Sequence, residues 1–465
     1  MKTINICCIG AGFVGGPTMA VIALKCPHIK ITVVDINKEK INLWNGDCKE
    51  LPVFEPGLPE IIQTVRDKNL FFSTDVESAI NESEIIFLAV NTPTKTEGDG
   101  KGYASNLDYI KKSVEQIAKV SKSNKIIIEK STVPVKTAFM IKEILDSNKN
   151  KDVEFEIISN PEFLAEGSAI SDLLDPDRVL IGSHDNPRGQ QASKKIQDIY
   201  LNWVSSEKII TTNIWSSELS KLVANAMLAQ RISSINSISS LCEKTGANIE
   251  EISKAIGMDS RIGPEFLKVS VGFGGSCFKK DILNLVYISR YYGLDKVADY
   301  WEKVIEINQF QTKRFANRII DELTHDNKKR VSVLGWSFKK NTNDSRESAS
   351  IYLTYELLLK GFEVNVYDPM CSEEKIYSDL SELFEKNNKI HNKYLKNIRV
   401  YKDLYESING TDIVALSTEW DEFIDIDWNL VHRSSKGLIK IFDGRNILDT
   451  DKLKEIGFKI FSIGK

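Results

Sequence analysis

A cysteine placed where a glycine-rich loop runs into a helix can act as a nucleophile, because the helix N-terminus and nearby ammonium groups favour thiolate over thiol. Cys277 has this setting in Val271-Gly272-Phe273-Gly274-Gly275-Ser276-Cys277-Phe278-Lys279-Lys280-Asp281, ahead of the helical spacing Ile282, Leu285, Val286 and Ile288. The cysteines at 7, 8, 26, 48, 242 and 371 have no such surroundings and no C-x-x-C or zinc-type spacing, so they read as reduced, packed thiols. Taken alone, Cys277 leaves packing and nucleophilic chemistry equally open. Glu162 and Glu166, in Asn160-Pro161-Glu162-Phe163-Leu164-Ala165-Glu166-Gly167, lie four apart. If the segment turns helical they share a face, one carboxylate for acid–base work and one for positioning, although an acidic first helical turn in solvent explains them as well. Glu218, Lys221 and Asn225 form a polar stripe on an apolar helix: either an exposed Glu218–Lys221 pair, or a partly buried ammonium that stabilises oxyanions. Ser131-Thr132-Val133-Pro134 offers hydroxyls beyond a strand ending at Glu129, for which turn capping is sufficient.

A second chemistry begins at the N-terminus. The strand candidate Ile4 to Ile9 leads into Gly10-Ala11-Gly12-Phe13-Val14-Gly15, with Pro17 in the first turn of the next helix. Glycines there allow a tight turn and close approach of backbone amides to a pyrophosphate. A further strand ends at Asp35, roughly 20 residues past the last glycine, where a carboxylate accepts from ribose hydroxyls and repels a 2′-phosphate, favouring NAD over NADP. Lys40 reads either as a solvated helix residue or as a flank of the adenosine. A thiolate beside a hydride acceptor suggests aldehyde chemistry: the thiol adds, the hemithioacetal loses hydride, and the thioester is hydrolysed to an acid.

These groups need a frame, and the chain supplies α/β patterning twice. Strand candidates Ile4 to Ile9, Ile31 to Val34, Ile85 to Val90, Lys125 to Glu129 and Phe155 to Ser159 alternate with helical stretches, which predicts a parallel sheet covered by helices. A run free of Gly and Pro from Thr211 to about Glu243 predicts one long helix, and helical sequence continues through Ile319. The α/β pattern restarts near Lys329, with strands at Arg330 to Leu334, Glu363 to Tyr367, Asp412 to Leu416, Leu438 to Phe442 and Lys459 to Ile463. Lys386 to Lys396 reads as a solvated connection. The expected organisation is two Rossmann-like parallel-sheet domains, 1–210 and 329–465, joined by a long central helix and a helical middle domain, 211–328.

With 465 residues, 61 basic against 65 acidic side chains and no basic run, the chain does not suit nucleic acid. Its apolar stretches are too short for a membrane helix, no signal-peptide pattern is present, and five dispersed histidines give no metal-site spacing. A cytoplasmic enzyme without metal is the expectation.

Together these residues resemble the UDP-glucose/GDP-mannose dehydrogenase family, most closely its animal-type members, from Gly10 to about Gly464. The likeness rests on Gly10 to Thr18, Val90-Asn91-Thr92-Pro93-Thr94, Glu129 to Val135, Asn160 to Gly167, Trp215 to Asn225, Gly272 to Asp281, Phe338-Lys339-Lys340 and Asp344-Ser345-Arg346-Glu347-Ser348. It implies four-electron oxidation of a sugar C6 alcohol to a carboxylate with two NAD and one water. UDP-glucose is the expected substrate, and UDP-N-acetylmannosamine or GDP-mannose the alternatives. The family nucleophile falls on Cys277. Asp281 and Lys221 are then assigned proton transfer and oxyanion stabilisation, Asn225 substrate orientation, and Glu162 with Thr132 the water and proton steps of hydrolysis. The same likeness gives NAD contacts at Gly10, Ala11, Gly12, Phe13, Val14, Gly15, Asp35, Lys40, Val90, Thr92, Thr94, Ser131, Thr132, Glu166, Cys277, Lys280 and Arg346. Nucleotide-sugar contacts fall on Glu162, Phe163, Leu164, Glu166, Lys221, Asn225, Lys268, Phe273, Gly274, Phe338, Lys339 and Arg445, with Arg261 supplied by a neighbouring subunit. A homo-oligomer built from dimers, such as a hexamer, is implied as well.

Overall fold

The computed structural model describes residues 4–326, 329–435 and 439–465. The domain bounds placed at 1 and 328, and Leu438, fall outside them. The chain divides into two compact units, one made of residues up to Ala224 with Leu283–Gly293, the other of Asn225–Ile282 with Leu294–Lys465.

The first unit holds an eight-stranded sheet of β1 (Ile4–Ile9), β2 (Ile29–Val34), β3 (Leu70–Ser73), β4 (Ile85–Leu88), β5 (Lys125–Glu129), β6 (Phe155–Ser159), β7 (Val179–Ser183) and β8 (Ile209–Asn213), in the order β3-β2-β1-β4-β5-β6-β7-β8. The first six strands are parallel, and β7 runs antiparallel to β6. Alternation along β1 builds both cores: Ile6 and Cys8 enter one apolar cluster, Cys7 and Ile9 the other. The strand order reverses between β1 and β4, the crevice where open α/β sheets bind ligands, and the Gly10 loop leaves β1 there.

The second unit repeats the device with β9 (Arg330–Leu334), β10 (Glu363–Tyr367), β11 (Ile398–Val400), β12 (Ile413–Leu416), β13 (Lys440–Asp443) and β14 (Lys459–Ser462), all parallel, in the order β11-β10-β9-β12-β13-β14. Val331 and Val333 face one cluster, Leu334 and Val414 the other. Two parallel-sheet, Rossmann-like α/β folds with helical sequence between them are therefore present, as the patterning predicts.

Local differences have physical causes. The long helix spans Ile214–Thr245 rather than starting at Thr211, because Asn213 Oδ1 accepts from Ser216 N at 2.9 Å and caps it, leaving Thr211 to Asn213 in β8. The stretch Lys386 to Lys396 is not merely solvated: it contains the helix His391–Leu395, whose Tyr394 stacks on Phe384 with ring centroids 4.9 Å apart. Within the first unit the long helix is anchored by Glu218, whose oxygens accept from Lys136 N and Ala138 N, both at 2.7 Å, at the start of the helix Thr137–Asn148. Burial pushes the Glu218 carboxyl up to about 7 against those donors, and burial followed by the facing Glu218 charge pushes Glu129 far up, so the pair retains a proton near neutrality.

A carboxyl raised in the folded state gives stability that is full below its ordinary 4.5 and is lost as pH rises through about 7. The urea midpoint of the first unit is therefore expected to fall across that window, and Glu218→Gln to flatten the fall; equal slopes in both proteins contradict the assignment. In the second sheet, Gly335 has φ +94°, and a Cβ there would meet Thr418 Cβ at 2.3 Å. Gly335→Ala is expected to cost roughly 2–4 kcal/mol in urea unfolding, and an unchanged midpoint would refute it.

Candidate active site

The loop after β1 has the form a dinucleotide needs. Gly10 has φ +111° and donates its N–H to Val34 O at 2.8 Å. A Cβ on Gly10 would meet Ala89 O at 2.3 Å and one on Gly15 would meet Gly10 O at 2.0 Å, whereas at Gly12 nothing lies within 4 Å. The turn requires the outer two glycines, and the middle one presents open backbone ahead of the helix Gly15–Lys25, where a pyrophosphate fits. Asp35 accepts from Ala11 N at 3.1 Å, Asn37 N at 3.0 Å and Lys40 Nζ at 3.0 Å. Burial pushes its carboxyl up, but the Asn37 N–H, Lys40 and the Ala11 N–H outweigh that and hold it below the ordinary carboxylate range. Lys40 is thus the ion-pair partner of the acid expected to meet the ribose. Phe13 is half-buried against the first core, and Trp44 Nε1 donates to Ala11 O at 3.0 Å, which fixes the loop from beneath.

The ends of β4 and β5 are laced together. Ser131 Oγ donates to Val90 O at 2.6 Å, and Thr92 Oγ1 donates to Thr132 O at 2.9 Å, so Val90, Thr92, Ser131 and Thr132 form one ledge. Thr94 continues it in a bridge to Ser105. The hydroxyls of Thr92 and Ser131 therefore serve local backbone geometry, which for Ser131 is the turn capping its sequence position already allowed.

Beyond β6 the segment from Pro161 to Gly167 is not helical, and the next helix is Ala169–Leu174. Glu162 and Glu166 do not share a helix face. Glu162 Oε1 accepts from its own Phe163 N at 2.8 Å and Leu164 N at 3.2 Å, a side-chain-to-backbone arrangement that competes with helix formation. Gly167, at φ +81°, then donates its N–H to Glu55 Oε1 at 2.8 Å. Glu162 Oε2 lies 2.8 Å from Lys130 Nζ. Burial pushes the Glu162 carboxyl up, yet Lys130, the Phe163 N–H and the charge of Lys221 together bring it below its usual range. Lys221 is buried, its ammonium 5.3 Å from the Phe163 ring centre, and Arg178 covers the same ring at 3.9 Å. Glu218 and Asn225 are buried too, so the polar stripe on the long helix is an interior one and the exposed Glu218–Lys221 pair does not form.

In the second unit Cys277 immediately precedes the helix Phe278–Tyr291 and, among the described residues, is the one exposed cysteine. Burial pushes the thiols of Cys7 (to about 12), Cys26 (to about 11), Cys8 and Cys371 upward, which makes them inert. One turn along, Asp281 is fully buried, with Asn225 Nδ2 donating to Oδ2 at 2.6 Å and Lys280 Nζ 2.7 Å from Oδ1. Burial lowers the Lys280 ammonium, but Asp281 beside it and the nearby Cys277 sulfur outweigh this and raise it above its ordinary value. Lys279 contributes differently, paired with Glu347 at 2.7 Å and within 5.6 Å of the Tyr352 ring centre.

The glycine loop ahead of Cys277 is pinned. Phe273 N donates to Asn308 Oδ1 at 2.8 Å, Val271 N to Gly444 O at 3.0 Å and Gly275 N to Arg346 O at 2.8 Å. A Cβ on Gly274 would stand 2.7 Å from Glu347 O. Arg346 forks onto Asp344, and Arg445 donates to Ser417 O at 2.7 Å and Phe338 O at 3.0 Å, so Phe273, Gly274, Phe338, Arg346 and Arg445 surround one loop system. Lys339 lies 5.7 Å from the Phe338 ring centre. Lys268 and Arg261 are exposed, and Arg261 is tied to Asp259 through Nη2 at 2.6 Å. Sequence reasoning did not single out Lys130, Asn160, Tyr200 or Glu347. Their importance comes from partners distant in the chain, and Lys130 carried no local signal beyond its place at a strand end.

Comparison with known proteins identifies the family. Models of the UDP-glucose/GDP-mannose dehydrogenase family match over residues 4–204 (NAD binding domain), 215–310 (central domain) and 332–450 (UDP binding domain). UDP-glucose 6-dehydrogenase 1 of Glycine max is 53% identical over 470 residues, covering 99% of this chain and 97% of the relative. UDP-glucose 6-dehydrogenase of Drosophila melanogaster is 51% identical over 464 residues, covering 99% and 96%. A solved UDP-glucose dehydrogenase from the hyperthermophilic archaeon Pyrobaculum islandicum superposes with a TM-score of 0.82 at 25% identity, covering 99% of this chain and 98% of that one. With three successive domain models spanning most of its length and relatives half identical to it from end to end, the chain belongs to the UDP-glucose/GDP-mannose dehydrogenase family.

Proposed function

We propose that this protein oxidises UDP-glucose to UDP-glucuronate with two NAD per sugar, and that the Cys277 sulfur carries the sugar between the two oxidations. The observation that supports the covalent route most strongly is the exposed Cys277 at a helix start, with Lys280 in the first turn beyond it and a buried Asp281–Asn225 pair one turn away. NAD, when bound, supplies the acceptor for each hydride.

In the first oxidation the C6 hydroxyl loses a proton and C6 loses a hydride, giving an aldehyde; Asp281 and Lys221 serve the proton and the developing oxyanion. The Cys277 thiolate then adds to C6, forming a C–S bond, and the oxygen takes a proton. Loss of a second hydride from C6 and of the hydroxyl proton leaves a thioester. Water attacks the thioester carbon, Glu162 with Thr132 takes the water proton, and the C–S bond breaks to return the thiolate and free the carboxylate. Asn225, besides holding Asp281, orients the sugar.

For NAD we assign Gly10 to Gly15, Asp35, Lys40, Val90, Thr92, Thr94, Ser131, Thr132, Glu166, Cys277, Lys280 and Arg346. For the nucleotide sugar we assign Glu162 to Leu164, Glu166, Lys221, Asn225, Lys268, Phe273, Gly274, Phe338, Lys339 and Arg445, with Arg261 reaching a neighbouring subunit of an oligomer built from dimers. The working division is 1–210 for NAD, 211–328 for the catalytic loop and dimerisation, and 329–465 for the UDP-sugar. We assign the protein to the cytoplasm; among the described residues no helix is long and apolar enough to cross a membrane.

The test is stoichiometric. Two NADH per UDP-glucose consumed, with UDP-glucuronate as product, is expected, along with far slower turnover of UDP-N-acetylmannosamine and GDP-mannose. Cys277→Ser should abolish the acid product, a loss of at least ~10³-fold, because no thioester forms. One NADH per sugar with free aldehyde would contradict the covalent route.

A further inference from the structure

The mechanism gives no role to the most deeply buried ammonium near Glu162. Lys130 directly follows β5, and its side chain is 2% exposed. Three side chains surround it in a preformed socket. Glu162 Oε2 lies at 2.8 Å, Asn160 Oδ1 at 3.3 Å and the Tyr200 hydroxyl at 3.4 Å, with the Tyr200 ring centre 6.0 Å away. The orientation of Asn160 is not arbitrary: its Nδ2 donates to Leu180 O at 2.9 Å, which turns Oδ1 toward both Lys130 and the Tyr200 hydroxyl, the latter donating to it at 2.7 Å. Among the described residues, the charged partner of the ammonium in that socket is Glu162.

We propose that Lys130 is a positioning residue for thioester hydrolysis: its sealed ammonium holds the Glu162 carboxylate as the anion that takes the proton from the attacking water. This rests on the role given to Glu162 above. Glu162 is itself largely buried, and a carboxylate out of water stays ionised only when it is paired. Its Oε1 is occupied by two backbone N–H groups and its Oε2 by Lys130. The other charged and titratable groups around it are Lys221 on the long helix, which adds a smaller pull, Tyr200 on the helix Pro187–Tyr200, which burial keeps neutral, and Arg178 across the Phe163 ring. Without Lys130 the carboxyl takes up a proton at neutral pH and has no capacity left for the proton of water. Substrate binding and the first hydride transfer do not need that capacity.

The experiment compares kcat and KM for UDP-glucose across pH in the full-length protein, its Lys130→Met and Glu162→Gln variants and the double variant. Lys130→Met is expected to move the acid limb of kcat up by roughly 1–3 pH units and to lower kcat at neutral pH by roughly 10- to 100-fold, with KM nearly unchanged and activity returning as pH rises. In the Glu162→Gln background the same substitution is expected to add less than about a 2-fold further loss, since its effect runs through Glu162. The double variant removes both charges together, so its fold does not depend on either being paired. An unmoved acid limb, or an equal loss in both backgrounds, overturns the proposal while two NADH per sugar in the parent protein leaves the reaction itself standing. One NADH per sugar in the parent protein overturns both.

Discussion

A carboxylate taken out of bulk water keeps its charge only where donors replace the water, and three acids in this protein are supplied with them. Glu162 has Lys130 and two backbone N–H groups; Asp281 has Lys280 and Asn225; Asp35 has Lys40 and the Ala11 N–H. Removing one partner from a buried pair such as Lys130–Glu162 typically costs about 3–5 kcal/mol, because it strands the other charge. Such pairing constrains the fold around it: Asn160, Tyr200 and Leu180 come from different elements and are all committed to keeping one ammonium in place.

The two sheets solve the same problem in parallel ways. In each, an acid just after the second strand of the repeat holds the loop after the first. Asp35, beyond β2, accepts from Ala11 N; Asp368, beyond β10, accepts from Trp336 N at 2.6 Å and Ser337 N at 3.0 Å. Gly10 and Gly335 occupy corresponding positive-φ positions, at +111° and +94°. The second loop lacks the further glycines, and Asp368 is saturated by Ser337 Oγ, Trp420 Nε1, Met370 N and Cys371 N as well. One architecture thus carries a glycine-rich loop fastened to Asp35 in one unit and a loop fastened to a more heavily bonded acid in the other.

What could be read from the sequence follows the range of the interactions. The Gly10 loop and Asp35 were legible because steric demands of a tight turn are local, and Cys277 was legible because its glycines and helix start adjoin it. The strands β3, β7, β8 and β11 were not: β11 has three residues, and β8 is largely exposed and ends in Thr211-Thr212-Asn213, which resembles a helix approach until the Asn213 cap is seen. A shared helical face for Glu162 and Glu166 failed because Glu162 bonds its own backbone. The burial of Glu218 was hidden for a different reason: its partners, Lys136 N and Ala138 N, lie some 80 positions away and are backbone groups with no sequence signature. The charge of Lys279 was visible, but its pairing with Glu347 was not.

The account stands on one covalent bond, from C6 of the sugar to the sulfur of Cys277. Intact-mass and peptide spectrometry of the Glu162→Gln variant mixed with UDP-glucose and NAD examines it directly, since slowed hydrolysis lets the thioester accumulate. The account predicts a nucleotide-sugar adduct confined to the peptide carrying Cys277, formed with two NADH per occupied site. A variant that produces NADH while every cysteine remains unmodified would contradict it.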